Sequence, residues 1–440
     1  MGAPKPETER TREKASVMEM LSLGGAQFAV CVFMAFSAYY LMMFLTDVAL
    51  IPPATTAAFL LFYRFFCVLD TQAIGLFINR RQHKDGKYRP YFKWCALPYA
   101  IGLAALGLTP GIALSARVFY AAGMLILCDL SWSALSMASI ALLPYLAQDD
   151  VSRSKFVAFS NGSAILAYVL VGTFMLPLAD ALGGGDRARG IALVLALLAA
   201  MAAPLILNAY FRLQERDYGQ PRIRPSWKDT FSAIGRSKRI LLFLAGYGLY
   251  TMADAFKNLS TYYYVTHFVG RPDLLPMVIL AGLLSPLAMQ AVIPKLLAYA
   301  KKEDLIVFGL FAALSTSLLM FIAGANPFAL MVCVTLYGVF TAIVANLVFA
   351  VMASFSDDIR MRQNISMSEI LAAAMNLSAT TGSGIAGGIA ASLLALFGYA
   401  AQESVQTASA LMGIRMVYIL CTALGMAIAG VCMLLFRRQR

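Results

Sequence analysis

The chain has 440 residues, of which 60% are hydrophobic and 13% are charged, with a formal net charge of +12. A soluble domain is closer to half apolar and a quarter charged. One globular core cannot hide this much apolar surface, so the sequence predicts an integral membrane protein. The excess Lys and Arg lie in short segments between apolar runs, which argues against a nucleic-acid-binding surface and is typical of cytoplasmic loops.

Apolar runs long enough to cross a bilayer recur along the whole chain. About 20 apolar residues suffice for a spanning helix, and backbone groups in lipid must find partners within their own segment. We therefore predict an all-α membrane protein with twelve transmembrane helices in two six-helix halves. The predicted spans are 24–46, 54–79, 91–109, 116–144, 155–179 and 189–211, then 239–269, 273–299, 304–322, 327–355, 366–396 and 410–436.

The loops alternate in charge, and the Lys- and Arg-rich set includes both ends of the chain and the long polar interruption in the middle. This pattern predicts that both termini are cytoplasmic. Six spans, a basic linker and six further spans is the layout of a two-halved secondary transporter. The predicted parts are an N-terminal segment (1–23), a first bundle (24–211), a linker (212–238), a second bundle (239–436) and a tail (437–440).

The stretch "RFFCVLDTQAIGLFINRRQHKDGKYRPYF", residues 64–92, contains an interior aspartate and ends in a basic loop. It resembles the second helix and following loop of the glycoside–pentoside–hexuronide:cation symporters, the melibiose-permease-like family of the major facilitator superfamily. Four further stretches resemble the family in the same order: "YYLMMFLTDV", "CDLSWSAL", "LSTYYYVTHFVGRPDLLP" and "FGYAAQESVQTASALMGIRMVYI". The matching residues of the first stretch are Arg64, Gly75, Asn79, Gly86, Lys87, Arg89 and Pro90.

The resemblance implies a major facilitator fold and a secondary transporter, not an enzyme. It implies that the protein moves a small polar solute, a sugar or glycoside, by alternating access with cation coupling. The expected surroundings are a bacterial inner membrane or plasma membrane, with a lipid bilayer and a small-molecule substrate as partners, no nucleic acid, and a monomeric protein. No cofactor and no metal are expected, apart from H⁺ or Na⁺ as the coupling ion.

Several positions depart from the family pattern. The family's paired acidic cation ligands in the second helix fall on Cys67 and Thr71, with Asp70 nearby, and the acidic residue of the fourth helix is retained as Asp129. The resemblance therefore implies cation coupling through Asp70, Thr71 and Asp129. Protons are favoured over sodium, because a buried carboxylate suffices for a proton relay.

Other departures concern the substrate. The family's acidic residue in the first helix becomes Gln27, an arginine of the fifth helix becomes Asn161, and a lysine of the eleventh helix becomes Thr380. These three positions, together with Asp129, are expected to line the substrate site. The changes leave a galactoside substrate open to question.

Polar residues within spans are costly and therefore line the interior or pair with one another. Asp70 and Asp129 either titrate or bind substrate, or else they pair with an arginine such as Arg64 or Arg117. In the seventh span, Asp254, Lys257 and Asn258 form either a substrate-facing stripe with an internal ion pair or a pair that only neutralises itself. Tyr262, Tyr263 and Tyr264 follow on the same span, and an aromatic belt at the interface is favoured for them.

The eleventh span carries a stripe of Glu369, Asn376 and Thr380 on one helical face. Asn376 and Thr380 are candidates for substrate binding, and Glu369 is a candidate gate residue. The GxxxG pair of Gly384 and Gly388 indicates close helix packing.

The basic loop after the second span holds that side in the cytoplasm, and it is also a candidate gate. Arg89 is the proposed loop residue, with Asp149 and Asp357 as acidic partners on the same side. A role in topology alone is the alternative.

Two rival functions remain open. The first keeps the fold but carries a lysolipid or another amphiphile, or acts as an uncoupled facilitator. The second, a membrane enzyme or channel, is remote, because the sequence offers no nucleophile–base motif, metal cluster or filter element.

Overall fold

The computed structural model describes residues 16–80, 86–108, 113–146, 150–215, 237–363, 368–400, 403 and 406–438. This part of the chain folds into long helices joined by short connections. The first helices are α1 (Val17–Tyr39), α2 (Pro53–Arg80), α3 (Arg89–Leu106), α4 (Leu114–Leu146), α5 (Asp150–Gly183) and α6 (Arg187–Arg212). They are followed by α7 (Lys238–Tyr263), α8 (Leu275–Tyr299), α9 (Lys302–Ala323), α10 (Pro327–Gln363), α11 (Ser368–Leu396) and α12 (Ala408–Arg438), the last with a π-helical stretch at Met416–Cys421.

Within these residues, eight helices are long and apolar enough to cross a membrane: α1, α4, α5, α6, α9, α10, α11 and α12. Shorter apolar stretches, Pro53–Tyr63 and Pro272–Pro286, cover the beginnings of α2 and α8. Charged residues such as Asp70 in α2 and the pair Asp254 and Lys257 in α7 lower the hydropathy of their helices. The protein is thus an all-helical integral membrane protein.

Helix α1 begins at Val17, seven residues before the predicted span. Ser16 caps it, since the backbone N–H of Met18 donates to Ser16 Oγ at 3.3 Å and the backbone N–H of Ser16 donates to Glu19 Oε2 at 3.4 Å. This is a capping box. Hydropathy marks the lipid-facing part of a helix, whereas the cap determines where the helix starts.

The pairing of helices repeats along the chain. Helix α1 packs against α5 and α6, as α7 packs against α11 and α12; α3 packs against α4 and α6, as α9 packs against α10 and α12. The pair of α2 with α4 likewise corresponds to the pair of α8 with α10. Three further pairings join the two sets: α2 with α11, α5 with α8, and α1 with α7. Such internal repetition is typical of secondary transporters.

The polar contacts distinguish two faces of the helix assembly. Asn208 near the end of α6 donates to Ser22 near the start of α1 at 3.1 Å, and Arg437 at the end of α12 pairs with Asp304 at the start of α9 at 2.7 Å. We call this side, where α1 begins and α12 ends, the terminal face. The opposite side, where the odd-numbered helices end, is the far face.

Helices α1 and α7 end in the same way at the far face. Each is followed by a π-helical stretch, Phe44–Val48 after α1 and Tyr264–Phe268 after α7. Each stretch leads to a residue with a positive φ, 52° at Leu50 and 71° at Gly270. The repeat places Asp47 and His267 at equivalent positions, one on each helix end.

Tyr263 and Tyr264 are fully buried, so the predicted aromatic belt at residues 262–264 is wrong for them. The Tyr264 ring stacks on the Tyr418 ring at 4.2 Å between centroids, and the Tyr264 hydroxyl donates to the Gly324 carbonyl at 3.2 Å. Tyr262, only 4% exposed, contacts the Tyr263 ring edge-on. The end of α7 is enclosed by other helices and has little surface left for lipid.

Gly388 on α11 lies directly against α2, which supports the packing role predicted for it. A Cβ at this position would lie 2.0 Å from Leu61 Cγ. Small residues at a helix interface allow this close approach.

Candidate functional site

A cavity of about 540 Å³ lies between the two sets of helices. One wall comes from α1 and α5, and the other from α7, α8, α10 and the π-helical stretch of α12. Pockets of roughly 300–1,000 Å³ are usual for small-molecule ligands. The polar lining residues are Tyr39, Asn161, Tyr168, Tyr250, Asp254, Lys257, Asn258, Thr261, Tyr337, Thr341, Asn346 and Tyr418.

Helix α7 supplies the charged part of the wall. Its lining residues recur at the three- and four-residue spacing of one helical face, from Tyr250 through Asp254, Lys257 and Asn258 to Thr261. Three of the predicted substrate-binding residues therefore do lie together on the cavity wall.

The predicted ion pair between Asp254 and Lys257 is not formed within 4.0 Å, and each of these two described residues has another neighbour instead. Asn258 Nδ2 donates to Asp254 Oδ2 at 2.9 Å, one turn along the helix. The Lys257 ammonium lies 3.6 Å from the centre of the Tyr337 ring, a cation–π contact. The Lys257 side chain is only 6% exposed. A ligand in the cavity thus meets a carboxylate, an ammonium and an amide within one turn of α7.

Helices α1 and α5 provide a polar and aromatic wall opposite α7. Asn161 and Tyr168 of α5 line the cavity with Tyr39 of α1, and the rings of Tyr39 and Tyr168 meet edge-on at 6.4 Å. Beside them, a Cβ at Gly172 would lie 2.6 Å from Ile279 of α8. Asn161, which the sequence analysis proposed as a substrate-binding residue of the fifth helix, therefore lies on the cavity wall opposite α7.

The profile of the MFS/sugar transport protein family matches residues 22–439, almost the whole chain. The chain belongs to this family. It is a secondary transporter and not an enzyme, and the resemblance to the glycoside–pentoside–hexuronide:cation symporters is confirmed.

Members of the family align over most of the chain at low identity. The isoprimeverose transporter of Lactiplantibacillus pentosus is 23% identical over 95% of this chain and 88% of its own length. The putative glycoside/cation symporter YagG of Escherichia coli K12 is 22% identical over 86% of this chain and 83% of its own length. A crystal structure of a bacterial homologue of the human lysosomal transporter Spinster superposes with a TM-score of 0.70 at 10% identity, covering 98% of both chains. This last likeness concerns the fold alone.

Four predicted substrate residues do not line the cavity in the described structure: Gln27, Asn376, Thr380 and Asp129. Gln27 Nε2 donates to Cys31 Sγ at 3.4 Å within α1. Asn376 and Thr380 lie on α11, a helix that contributes no lining residue and packs against α2 and α7. Helical spacing correctly places Asn376 and Thr380 on the same helix side, but it does not say what that side contacts.

Asp70 and Asp129 lie at the contact between α2 and α4, outside the cavity lining. Each residue is 4% exposed. Ser133 Oγ donates to Asp70 Oδ2 at 3.2 Å, and Asp129 lies one turn before Ser133 on the same side of α4. The side chain of Thr71 is not described. Within the described residues, no group of three or more His, Cys, Asp or Glu side chains could hold a metal ion.

The predicted gate residues are described only in part. Arg89 Nε donates to the Tyr210 carbonyl at 2.5 Å, and its guanidinium lies 4.9 Å from the centre of the Tyr210 ring. Arg89 thus contacts the end of α6. Asp149 lies outside the described residues, and the side chains of Asp357 and Glu369 are not described, so the gate at this face stays a prediction.

Glu215, which the sequence analysis missed, accepts hydrogen bonds at the start of α3. Its carboxylate accepts from the backbone N–H groups of Lys87 (2.7 Å), Tyr88 (2.6 Å) and Arg89 (2.5 Å). Gly86 has a φ of 111°, and a Cβ there would lie 2.7 Å from Glu215 Cδ. A carboxylate at a helix N-terminus also interacts favourably with the helix dipole and so stabilises the helix.

We expect Glu215→Ala to lower the stability of the protein, because three backbone donors lose their shared acceptor. The expected loss is about 1–3 kcal/mol, observed as a lower apparent melting temperature in detergent. Gln214→Ala, at an exposed neighbouring position, is the matched control and should leave the melting temperature unchanged. Equal effects of both substitutions would contradict this role for Glu215.

The sequence analysis also did not identify Asp47, His267 and Tyr399, which form a hydrogen-bonded cluster at the far face. The first two are detectable in principle, because "MMFLTDVAL" and "YYYVTHFVG" occupy equivalent places at the ends of the first and seventh helices. The cavity tyrosines carry no such signal, since a tyrosine in an apolar helix is equally compatible with lipid, core or ligand contact.

Proposed function

We propose that this transporter carries a sugar or glycoside by alternating access through the cavity described above. The observation that supports this most is the lining itself. Asp254, Lys257, Asn258 and Asn161 offer charged and amide groups for hydroxyls, and several tyrosine rings offer flat surfaces for the C–H faces of a sugar. Two relatives named for isoprimeverose and glycoside transport point to the same substrate class.

The proposed moving parts are two six-helix bundles, residues 24–211 and 239–436, joined by the basic linker 212–238. The repeated helix pairings support this division, as does a cavity with one wall from each set. The proposal includes twelve membrane-spanning helices, cytoplasmic placement of segment 1–23 and tail 437–440, and a monomer in a bacterial inner or plasma membrane. The charge of the loops supports the orientation.

An amphiphile such as a lysolipid is the less favoured cargo. An amphiphile site needs a long apolar cleft with one or two charged anchors. The cavity instead places hydroxyl, amide and charged groups on α5, α7 and α10. This distribution favours a compact solute with many hydroxyl groups.

A screen of ligands tests the substrate class. Purified protein is heated with sugars, glycosides, organic acids and lysolipids, and the compounds that raise the melting temperature are then tested for counterflow in proteoliposomes. A bound ligand at 100 times its Kd stabilises by about 2.7 kcal/mol. Stabilisation and counterflow by a sugar support the proposal, whereas a response to lysolipids alone would replace it with the amphiphile function.

We further propose that protons are the coupling ion and that Asp70 and Asp129 carry the coupling. Both carboxylates are buried at the α2–α4 contact, and Ser133 is hydrogen-bonded to Asp70. A buried carboxylate within a membrane is a frequent element of proton relays. The positions of the family's paired acidic ligands hold Cys67 and Thr71 instead.

Asp70→Asn is expected to abolish uphill uptake driven by an inward proton gradient, because an amide cannot release a proton. Counterflow, which needs no net proton movement, should persist at a comparable rate. Ser133→Ala serves as the control, since it removes the hydrogen bond but keeps the titrating group. Uptake by the native protein that needs sodium and ignores pH would contradict proton coupling.

A further inference from the structure

A polar cluster at the far face lies outside the cavity and outside the α2–α4 contact. Asp47 belongs to the π-helical stretch after α1, His267 belongs to the equivalent stretch after α7, and Tyr399 follows α11. The cluster therefore brings together chain segments from the two sets of helices.

Tyr399 bridges the other two residues. Its hydroxyl donates to the Asp47 carboxylate, 3.2 Å from Oδ1 and 3.3 Å from Oδ2, and lies 3.2 Å from His267 Nε2. A hydroxyl has one proton. When Tyr399 donates that proton to the Asp47 carboxylate, its oxygen accepts from the Nε2–H tautomer of His267. The result is one continuous chain of hydrogen bonds from His267 to Asp47.

A second link runs beside the first. Thr46 Oγ1 donates to Asp47 Oδ1 at 2.6 Å and lies 2.9 Å from the Tyr263 hydroxyl of α7. The Tyr263 ring in turn meets the Tyr399 ring edge-on, with 5.1 Å between centroids. Arg187, at the start of α6, reaches the Tyr262 hydroxyl at 3.4 Å.

We propose that Asp47, Tyr399 and His267 form a latch that holds the far face of the transport pathway closed. The proposal rests on the two-bundle mechanism proposed above, because opening towards the far face requires these segments to separate. Three polar side-chain contacts described at the terminal face each stay within one set of helices. They join α3 to α6, α1 to α6 and α9 to α12.

The carboxyl group of Asp47, just beyond the predicted span 24–46, makes the latch sensitive to pH. Burial raises the pKa of Asp47 to about 6, although hydrogen bonds from Thr46, Tyr399 and Tyr262 and the charge of Arg187 act against this rise. The facing groups are thus Arg187 from α6, Tyr262 and Tyr263 from α7, and Tyr399 after α11.

The sign follows from this direction. A raised pKa at Asp47 means that the closed state binds its proton more tightly, so this contribution to closure is present at low pH and is lost as pH rises through about 6.

Hydrogen exchange of the purified protein tests the latch without any substrate, so its failure is distinguishable from failure of the proposed transport function. We expect Tyr399→Phe to speed the exchange of the backbone amides in segments 44–51 and 264–271 by about three- to tenfold, the effect of losing one hydrogen bond. Tyr120→Phe is the matched control, because the Tyr120 hydroxyl donates to the Ala105 carbonyl at 2.6 Å within one set of helices. Exchange in segment 86–93 at the terminal face should not change.

The pH dependence supplies the second readout. After correction for the intrinsic pH dependence of exchange, the far-face segments of His267→Gln should become more protected as pH falls from 7.5 to 5.5. Those of Asp47→Asn should not gain protection over the same range.

Exchange in Tyr399→Phe that equals either the native protein or Tyr120→Phe at the far face would overturn the latch. The same conclusion follows if Asp47→Asn gains protection at low pH as His267→Gln does. Should Tyr399→Phe not fold, Thr46→Val removes the second link and must then produce the faster exchange.

Discussion

Lys257→Ala and Asp254→Ala are each expected to weaken substrate binding by about ten- to a hundredfold. Hydrogen bonds to charged groups contribute about 1.5–3 kcal/mol, and every 1.4 kcal/mol changes a dissociation constant about tenfold. Both side chains line the cavity on α7, and they lie on the same face as Asn258. The measurement is calorimetric titration with the sugar that most stabilises the native protein.

Asn376→Ala is the control for this prediction. Asn376 is an exposed polar residue of α11 and does not line the cavity. We expect native affinity and a native melting temperature without ligand in this variant. If Asn376→Ala lost as much affinity as Lys257→Ala, the polar stripe of α11 would be part of the site and the cavity assignment would be incomplete.

Gly190→Ala, at the single glycine of α6, is expected to lower the stability of the protein. A Cβ at Gly190 would lie 2.0 Å from the carbonyl oxygen of Ala179 in α5. Backbone atoms cannot rotate away as a side chain can, so α5 and α6 must move apart. Overpacking of this kind costs about 1–3 kcal/mol, which should appear as a lower apparent melting temperature in detergent.

Gly123→Ala provides the opposite case. Nothing lies within 4 Å of a Cβ built at Gly123, which is also within a helix, α4. Alanine is favoured over glycine in a helix interior by about 0.5–1 kcal/mol, so this variant should melt at the same temperature or slightly higher. A similar loss in both variants would mean that helix packing at Gly190 is not the cause.

The positions of the helices could be predicted closely where a long apolar run is bounded by polar residues. The predicted spans 54–79 and 189–211 correspond to α2 (Pro53–Arg80) and α6 (Arg187–Arg212). The errors occur where helices continue beyond the apolar run, as α10 does to Gln363 and α1 does from Val17. The Ser16 cap decides the start of α1.

The candidate site was predictable within a helix but not between helices. Asp254, Lys257 and Asn258 share one side of α7 because helical periodicity requires it. The same reasoning grouped Asn376 with Thr380, but their helix contributes nothing to the cavity wall. The hydrogen-bonded bridge from Asp47 through Tyr399 to His267 joins residues more than 100 positions apart.

By itself, the sequence determined that this chain is a helical membrane protein of a sugar-transport family, because apolar length and ordered motifs are properties of the chain alone. Only the tertiary structure decided which polar side chains share the cavity, which carboxylates lie apart from it at the α2–α4 contact, and which residues join the helix ends at the far face. The physical reason is that each helix's periodicity specifies its own faces, whereas its rotation and crossing against other helices decide what those faces contact.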